Sequence, residues 1–376
     1  MITYRIQTPP HIILGRDVMA TIAREQRRTD LRRTLLITEA ELFDSGKTAA
    51  ITSAFEDAGL SVATFTGFDS GAVSSAAEAA LELSRSGFIQ SVIGFGSAST
   101  VHLGRIVAAL VNVETPGVDE NLDRSRIDSP GVPFLAVPSA PFDPLICSPR
   151  ALVVDARNRH LRIVELEVPA AYVIYDSALL ETTTKMQGLY ALAASMLLSI
   201  EGLVSRGHNP ISDPLHERVV VDAVRLFSES ADAALAPTDQ FQESIRRVAL
   251  LSAIGASTTG LGIGSLAAGC LHAQSGLGLT APVPALAGPA VSRLVAAYPE
   301  HSSRIAELLG TGDQDVEVRV RELLGGAGLP LRLKEIGIDK RDLPNVVDNL
   351  EAVASTGHYS SPVTVEELSA MIDAAL

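Results

Sequence analysis

The first half of the chain alternates short apolar runs with amphipathic stretches of helical spacing. The apolar runs are TLLIT (34–38), SVATF (61–65), SVIGF (91–95) and FLAVP (134–138), and helical patterns lie near 46–58, 72–86 and 98–111. Apolar strands that alternate with helices are typical of right-handed βαβ units around a parallel sheet. We therefore predict an α/β domain over residues 1–177, with a Rossmann-like parallel sheet covered by helices on both faces.

Three more strand-like runs end this region. They are ALVVD (151–155), LRIVELE (161–167) and YVIYD (172–176), and the turn sequence ARNRH joins the first two. The pattern predicts a hairpin plus one further strand, which together complete the same layer. From residue 182 onward almost every stretch has a period of 3.6 residues, which indicates an all-helical C-terminal domain over residues 178–376.

The length and composition agree with two domains. The chain has 376 residues, and single cores stop growing near roughly 250–300 residues. Hydrophobic residues make up 47% of the chain but aromatic residues only 4%, and there is no Trp. The core must therefore consist mainly of Ala, Val, Leu and Ile, a composition that suits helices and buried parallel strands.

The net charge of −14 opposes attraction to nucleic acids and to anionic lipids. The stretch MITYRIQTPPHIILGRD does not have the charged start and apolar segment of a secretory signal, and no long apolar run is free of charge and glycine. We expect a cytoplasmic protein with no nucleic-acid or membrane partner. Cys147 and Cys270 are too few for a disulfide framework, so we expect each to fill the core.

The stretch GFGSAST (94–100) lies between a predicted strand and a predicted helix. The backbone amides of residues 94–97 would point out of such a turn and add to the positive end of the helix, which attracts phosphate. The third glycine of the dinucleotide-binding fingerprint is missing, so a purely structural glycine turn is the alternative. Glu39, which follows TLLIT, could accept hydrogen bonds from an adenosine ribose or face solvent as a helix cap.

Several segments together resemble the iron-containing alcohol dehydrogenase superfamily, which includes maleylacetate reductases and is distantly related to dehydroquinate synthases. GFGSAST resembles the family's Gly-Gly-Gly-Ser-x-x-Asp motif, with Thr100 in the place of Asp, and EGLVSRGHNPISDPL is similar to its Glu-x-x-x-Ser and Asn-Pro-x-Ser-Asp segment. Other similar segments are HIILG, LLITEAEL, PFLAVPSA, YVIYDSALL and TGLGIGSLAAGCLHA. The resemblance covers most of the chain. It implies an N-terminal nucleotide domain, an all-helical C-terminal domain, an active site in the cleft between them, and NAD or NADP as cofactor.

The metal ligands of that family are largely missing here. Family members bind one divalent metal through an Asp and a His four residues apart on one helix and through two later histidines. The first two places hold Ala194 and Leu198, the third holds His272, and the second His of the family's His-x-x-x-His pair falls on Gly276. Since catalytic sites commonly need three protein ligands, one imidazole among apolar side chains is not enough. We predict no metal.

The loop that approaches the cofactor in that family also differs. Metal-dependent relatives have Thr-Thr-x-Gly-Thr-Gly-Ser-Glu, and this chain has SAPFDPLI (139–146). Two prolines and Asp143 replace glycines and hydroxyl groups, which removes backbone donors and adds negative charge near the phosphates. The candidate cofactor-binding residues are Glu39, Gly94, Phe95, Gly96, Ser97, Thr100, Ser139 and Asp143.

Maleylacetate reductases resemble this fold and work without a metal, because side chains hold a substrate carboxylate and polarise the reacting oxygen. On that precedent the candidate catalytic residues are His272 and His208, with His102 beside the glycine turn as a third candidate. The alternative for His272 is a core histidine bonded to a carbonyl, and the alternative for His102 and His208 is a surface position. Arg150, Arg206 and Arg293 are candidate carboxylate clamps, with surface ion pairs as the alternative.

The sequence therefore predicts a metal-independent NAD(P)-dependent oxidoreductase that oxidises a hydroxyl group in a biosynthetic pathway. A β-hydroxy acid suits such an enzyme because the β-keto acid product loses CO₂ readily. The resemblance extends to metal-poor relatives in daptide-type ribosomal peptide pathways, where a C-terminal threonine is oxidatively decarboxylated. We expect a small-molecule or peptide substrate, a partner protein of the same pathway, and a homodimer or larger assembly. The alternative is a catalytically inactive scaffold or partner protein.

Overall fold

The computed structural model describes residues 10–68, 74–113, 117–180, 184–205, 212–230, 239–312, 315–341, 343–354 and 364–376. The chain divides into two compact units. The α/β unit comprises Thr8–Ala140 and Leu145–Thr183, and the helical unit includes Pro141–Pro144 and Thr184–Leu376. The main division thus follows Thr183, a few residues beyond the predicted division after residue 177.

The α/β unit contains nine strands and six helices within its described residues. The strands are β1 (His11–Gly15), β2 (Arg33–Glu39), β3 (Ser61–Phe68), β4 (Ser91–Gly96), β5 (Arg126–Ile127), β6 (Phe134–Pro138), β7 (Arg150–Val154), β8 (Leu161–Leu166) and β9 (Tyr172–Asp176). The helices are α1 (Met19–Arg28), α2 (Ala40–Asp44), α3 (Thr48–Asp57), α4 (Ser74–Ser86), α5 (Ala98–Leu110) and α6 (Val118–Arg124).

Six of these strands form one parallel sheet in the order β1-β9-β6-β4-β2-β3. The order places β2, β4 and β6 side by side, so their carboxyl ends lie at one edge of the sheet. Ligands of open parallel sheets bind at this edge, where the connections leave the strands. The helices that join the strands belong to the βαβ units that the sequence pattern predicts, and the predicted fold class is confirmed.

The hairpin β7–β8 does not complete this layer, so that prediction is wrong. β7 and β8 pair antiparallel and join β5 in a separate three-stranded sheet, whereas β9 enters the main sheet between β1 and β6. The hairpin lies in a separate sheet because β7 packs against α5. Arg105 of α5 is almost fully buried and donates to the carbonyl oxygens of Ser148 and Arg150, the second at 3.1 Å.

The core of the α/β unit lies between the main sheet and the helices α1 and α3. Leu36, Ile93, Phe95, Leu135 and Ile174 come from four neighbouring strands and are at most 2% exposed. Both faces of the central strands are covered, which explains why their sequences are continuous apolar runs instead of alternating ones.

The helical unit consists of α7 (Lys185–Leu203), α8 (Asp213–Ser230), α9 (Asp239–Thr259), α10 (Ile263–Ser275), α11 (Val283–Ala297), α12 (Pro299–Leu309), α13 (Val316–Gly326), α14 (Leu343–Ala354) and α15 (Val365–Ala375), with a 3₁₀ turn at Leu333–Ile336. A capping box between Thr184 and Gln187 starts α7, which packs against α8, α9, α10 and α11. Helix α7 is long and apolar enough to cross a membrane, but most of it is buried inside the protein, as in the central helix of a bundle.

The helices α7, α8 and α9 approach closely around His216. The imidazole of His216 lies against Gly202 of α7 and Gly255 of α9, and a Cβ at Gly255 would come within 2.5 Å of the ring. Thr259 Oγ1 lies 3.3 Å from Nε2. Burial lowers the pKa of His216 to about 4, so the ring is neutral at physiological pH.

Candidate active site

The glycine turn between β4 and α5 holds a carboxylate from the neighbouring strand. Glu39 ends β2, and its Oε1 accepts hydrogen bonds from the backbone N–H of Ser97 at 2.8 Å and from Thr100 Oγ1 at 2.7 Å. Parallel strands β2 and β4 pair directly, which brings the end of β2 to the first turn of α5. An anion at this position is stabilised by the helix N-terminus.

The two glycines of this turn are required by close packing. A Cβ at Gly94 would lie 2.7 Å from Phe134 Cζ, and a Cβ at Gly96 would lie 2.9 Å from Glu39 Oε1. The turn therefore lets α5 approach the sheet and lets Glu39 reach the amide of Ser97. Phe95 points the other way, since its side chain is fully buried in the core, and only its backbone could meet a cofactor.

Ser139 extends this edge of the sheet from β6. Gly96 and Pro138 are register partners on adjacent strands, and the N–H of Ser139 donates to the carbonyl of Gly96 at 2.7 Å. Ser139 is half-buried. The structure thus brings Glu39, Ser97, Thr100 and Ser139 together at the carboxyl ends of β2, β4 and β6.

Asp143, the remaining candidate cofactor-binding residue, is buried. It is 1% exposed and lies in Pro141–Pro144, the segment that belongs to the helical unit. His208 and Arg206 lie outside the described residues. His102 is fully buried on α5, so the surface position expected as its alternative is wrong.

Three of the four positions that correspond to the family's metal ligands hold Ala194, Leu198 and Gly276 instead. Ala194 and Leu198 of α7 are at most 2% exposed, and Gly276 is the left-handed C-cap of α10, with φ 74°. These side chains offer no lone pair to a metal ion. Among the described residues, no group of three or more His, Cys, Asp or Glu side chains could hold one, so the residues present do not fit the divalent metal of the resembling family.

His272 lies in the last turn of α10 and is 5% exposed. Its Nδ1 lies 2.5 Å from the carbonyl oxygen of Leu277. This contact requires Nδ1 to donate, and in the neutral ring Nε2 then carries the lone pair. A histidine fixed in this tautomer can accept a proton at Nε2, although the same contact also suits a core histidine.

Glu201 anchors the helix that carries His272. The sequence did not reveal this structural role. Its carboxylate is fully buried and accepts from the N–H groups of Gly262, Gly264 and Ser265 and from Ser265 Oγ, at 2.5–3.2 Å. These donors form the N-terminus of α10. Burial raises the pKa of Glu201 to about 6 against the opposing effect of the four donors. Only the contact between α7 and α10 reveals this role, because 61 residues separate Glu201 from Gly262.

The candidate arginine clamps differ in their surroundings. Arg293 forms an ion pair with Glu367 of α15, which fits the ion-pair alternative. Arg150, at the start of β7, is half-buried, and burial lowers the pKa of its guanidinium. No hydrogen bond or ion pair joins its guanidinium to any other residue that the structure describes, in contrast to Arg293.

Comparisons with known proteins identify the fold and its relatives. Residues 9–177 match the family model described as iron-containing alcohol dehydrogenase. The comparisons support a relationship between this chain and the iron-containing alcohol dehydrogenase superfamily. The chain is 20% identical to the NAD-dependent methanol dehydrogenase of Bacillus methanolicus over 386 residues, with 98% of each chain covered.

Two further similar proteins are named as reductases. The lactaldehyde reductase of Escherichia coli (strain K12) is 20% identical over 373 residues, with 94% of each chain covered. The crystal structure of sulfoacetaldehyde reductase from Bifidobacterium kashiwanohense in complex with NAD⁺ matches with a TM-score of 0.81 at 16% identity, over 99% of this chain and 98% of that one. The sequence relatives are oxidoreductases, which supports a dehydrogenase-like enzyme at that general level.

Proposed function

We propose that this protein is an NAD-dependent oxidoreductase that oxidises a hydroxyl group without a metal ion. The cluster of Glu39, Ser97, Thr100 and Ser139 carries the proposal. A carboxylate that ends the second strand of such a sheet can accept hydrogen bonds from both ribose hydroxyls, and it repels a 2′-phosphate. When bound, NAD would supply a hydride acceptor, and the first turn of α5 would face its phosphates.

The residues of the chain would have to replace the metal. In metal-dependent enzymes the ion stabilises an alkoxide by several kcal/mol. His272 is our candidate for the general base, since the hydrogen bond of Nδ1 to Leu277 leaves the lone pair on Nε2. His208 is a second candidate on sequence grounds alone.

A β-hydroxy acid, or the C-terminal threonine of a peptide, is the substrate class that best suits metal-free chemistry. Removal of the carbinol hydrogen as hydride and of the hydroxyl hydrogen as a proton converts the alcohol into a β-keto acid. The bond to the carboxyl carbon then breaks, its electron pair is delocalised into the ketone, and CO₂ leaves before a proton is added. The second step needs no metal because the adjacent carbonyl accepts the electrons. We also propose a cytoplasmic homodimer or larger assembly that acts with partners of one biosynthetic pathway.

A non-catalytic scaffold is the second candidate, and one observation favours it. Leu198 fills the place of a metal-binding histidine and is fully buried among apolar neighbours on α7. A chain relieved of catalysis would accumulate such substitutions. This candidate predicts no nucleotide binding.

Calorimetric titration with NADH and with NADPH tests the proposal, on protein whose metal content is assayed in the same sample. We expect NADH to bind with a Kd of roughly 1 μM to 1 mM, the range in which KM values usually lie, at far less than one metal ion per chain. Failure of both nucleotides to bind would overturn the dehydrogenase proposal and favour the scaffold. Binding of both nucleotides only after stoichiometric metal is added would overturn metal independence.

A further inference from the structure

Phe88 is an exposed aromatic residue in a strained backbone conformation. It follows α4, where its N–H donates to the carbonyl of Arg85 at 3.1 Å and the N–H of Ile89 donates to that of Ser84 at 3.0 Å. These two bonds close the helix in a Schellman motif, and the left-handed residue of such a motif is usually glycine. Phe88 has that place, with φ 49°, and it is 73% exposed. A glycine would avoid both the strain and the exposed ring, so the end of α4 does not by itself explain a phenylalanine here.

The guanidinium of Arg33 is fixed against this ring. Arg33 begins β2, and its Nε donates to the carbonyl oxygen of Phe88 at 2.8 Å, while its Cζ lies 5.8 Å from the ring centre. Gln90 Oε1 accepts from the backbone N–H of Arg33 at 3.2 Å and from that of Arg32 at 2.8 Å, which fixes the start of the strand. Nη1 and Nη2 of Arg33 have no hydrogen-bond partner among the described residues. This edge of the group suits a carboxylate through two parallel hydrogen bonds.

Two more arginines are held beside Arg33 by backbone carbonyl groups. Arg32 Nη1 donates to the carbonyl oxygen of Arg27 at 3.1 Å, and Arg27 Nη1 donates to that of Gly59 at 2.8 Å. Arg32 also forms an ion pair with Asp30, with 2.5 Å between Nη2 and Oδ1. In the described part of the chain, no ion pair neutralises Arg27 or Arg33. The carbonyl groups therefore fix these two side chains without cancelling their charge.

The charge of this surface is opposite in sign to that of the whole chain. Residues 24–33 contain five arginines and two acidic residues, whereas the net charge of the chain is −14. Arginines grouped in this way repel one another, and an acidic partner would remove that repulsion. A long polyanion such as a nucleic acid would also meet the negative charge of the rest of the chain, but a short acidic segment would meet the arginines alone.

We propose that Phe88, Arg27 and Arg33 form a docking surface for a short acidic segment of a partner protein, which places an apolar side chain against the Phe88 ring. Aromatic and arginine side chains contribute most to binding at protein interfaces, and side chains that are already fixed lose little entropy on binding. The surface lies at the amino end of β2, and Glu39 lies at the other end of that strand, about 20 Å away. The docking surface is therefore separate from the candidate active site, and it does not depend on the proposed reaction.

The test uses a synthetic peptide of glutamates interrupted by leucines, and the same peptide with glutamine in place of every glutamate. Binding of each to the full chain is measured by calorimetry without nucleotide, at low and at high salt concentration. The variants are Arg33→Gln and Phe88→Gly. The controls are Arg247→Gln, which removes the same charge from an exposed position of α9, and Phe43→Ala, which removes a partly exposed ring from α2.

We expect the wild-type chain to bind the acidic peptide, less tightly at high salt because exposed charges are screened, and to bind the glutamine peptide more weakly. Arg33→Gln and Phe88→Gly should each weaken binding of the acidic peptide by about 5- to 30-fold, the usual effect of losing a residue that dominates an interface. Both controls should bind as the wild type does. Phe88→Gly should keep or raise the Tm, since glycine relieves the left-handed strain. A phenylalanine with a purely structural role would instead lower the Tm when replaced and leave peptide binding unchanged.

No binding of the acidic peptide, or equal binding of the two peptides, would overturn the proposal. Equal weakening in Arg33→Gln and Arg247→Gln would also overturn it, because the attraction would then be spread over the whole surface. Tighter binding of a single-stranded oligonucleotide than of the peptide would assign the surface to nucleic acid instead. Dissociation of a wild-type assembly by Arg33→Gln, measured by sedimentation, would assign it to a second copy of this chain. Since no nucleotide cofactor is present, these outcomes are independent of the NADH titration.

Discussion

Glu39 Oε1 lies 2.8 Å from the backbone nitrogen of Ser97, so the side chain that ends β2 caps the helix that follows β4. The same oxygen accepts from Thr100, which stands in the place of the family's Asp. A second carboxylate at position 100 would repel Glu39, whereas a threonine hydroxyl donates to it. A threonine at position 100 therefore favours the contact of the Glu39 carboxylate with the first turn of α5.

We expect Glu39→Ala to reduce the preference for NADH over NADPH by about tenfold or more, which corresponds to about 1.4 kcal/mol. The change removes a ribose acceptor and a negative charge that opposes the 2′-phosphate. The measurement is the ratio of the two Kd values by calorimetry. Thr100→Val is the control, because it removes one hydrogen bond to Glu39 but keeps the carboxylate. An unchanged ratio in Glu39→Ala would show that Glu39 only caps the helix.

Chelation should leave the protein's stability unchanged. Since Ala194, Leu198 and Gly276 offer no donors, we expect the Tm in EDTA to equal the Tm with about a hundred micromolar Zn²⁺ or Fe²⁺. A site with a Kd a hundredfold below the metal concentration would instead add about 2.7 kcal/mol of stability. Differential scanning calorimetry measures this, and a Tm that rises with metal concentration would contradict the prediction.

The free energy of unfolding should fall as the pH rises through the titration of Glu201. Its folded-state pKa is raised to about 6 from 4.5, so the folded protein favours the protonated form. The contribution is fully present below pH 4.5 and is lost as the pH rises through about 6, and it amounts to about 2 kcal/mol. Urea unfolding of wild type and Glu201→Gln at several pH values measures the difference between them.

The difference between wild type and Glu201→Gln removes the contribution of His216, which both proteins contain. The pKa of His216 is lowered to about 4, so its contribution to stability is lost as the pH falls below 6.5. The variant loses hydrogen bonds to α10, so its absolute stability should be lower. The quantity to compare is the free energy of unfolding of wild type minus that of Glu201→Gln. It should change as the pH is raised from about 4.5 to about 6.5. A difference that stays constant would show that the four donors hold the pKa of Glu201 near its ordinary value.

Gly255→Ala should destabilise the helical unit by about 1–3 kcal/mol, the usual cost of overpacking. The new methyl group would lie 2.5 Å from His216 Cε1 in the contact among α7, α8 and α9. Gly326→Ala on α13 is the control, because nothing lies within 4 Å of its new Cβ, and we expect it to be neutral or mildly stabilising. Equal effects of the two changes on the urea midpoint would contradict this packing argument.

Local patterns identified most of the α/β elements. The predicted strand at 91–95 corresponds to β4 and the predicted helix near 98–111 to α5, because apolar runs and helical spacing are properties of neighbouring residues. The hairpin of β7 and β8 was also recognisable from its turn. Its placement in a second sheet was not, since that depends on Arg105 and on the surface of α5.

The candidate site also could be predicted only in part from the sequence. The glycine turn and Glu39 could be selected as candidates because each lies where a predicted strand ends. Which donors Glu39 contacts depends on the pairing of β2 with β4, across 58 residues of sequence. The loop sequence also did not predict that Pro141–Pro144 belongs to the helical unit.

Composition and periodicity were enough to establish a parallel α/β half and a helical half, and residue identity was enough to show that Ala194, Leu198 and Gly276 cannot ligate a metal. These properties belong to single residues or short windows. The environments of Glu39, Glu201 and Arg150 could come only from the folded chain. Whether a charged group is capped or buried depends on residues far away in sequence that folding brings within a few ångströms of it.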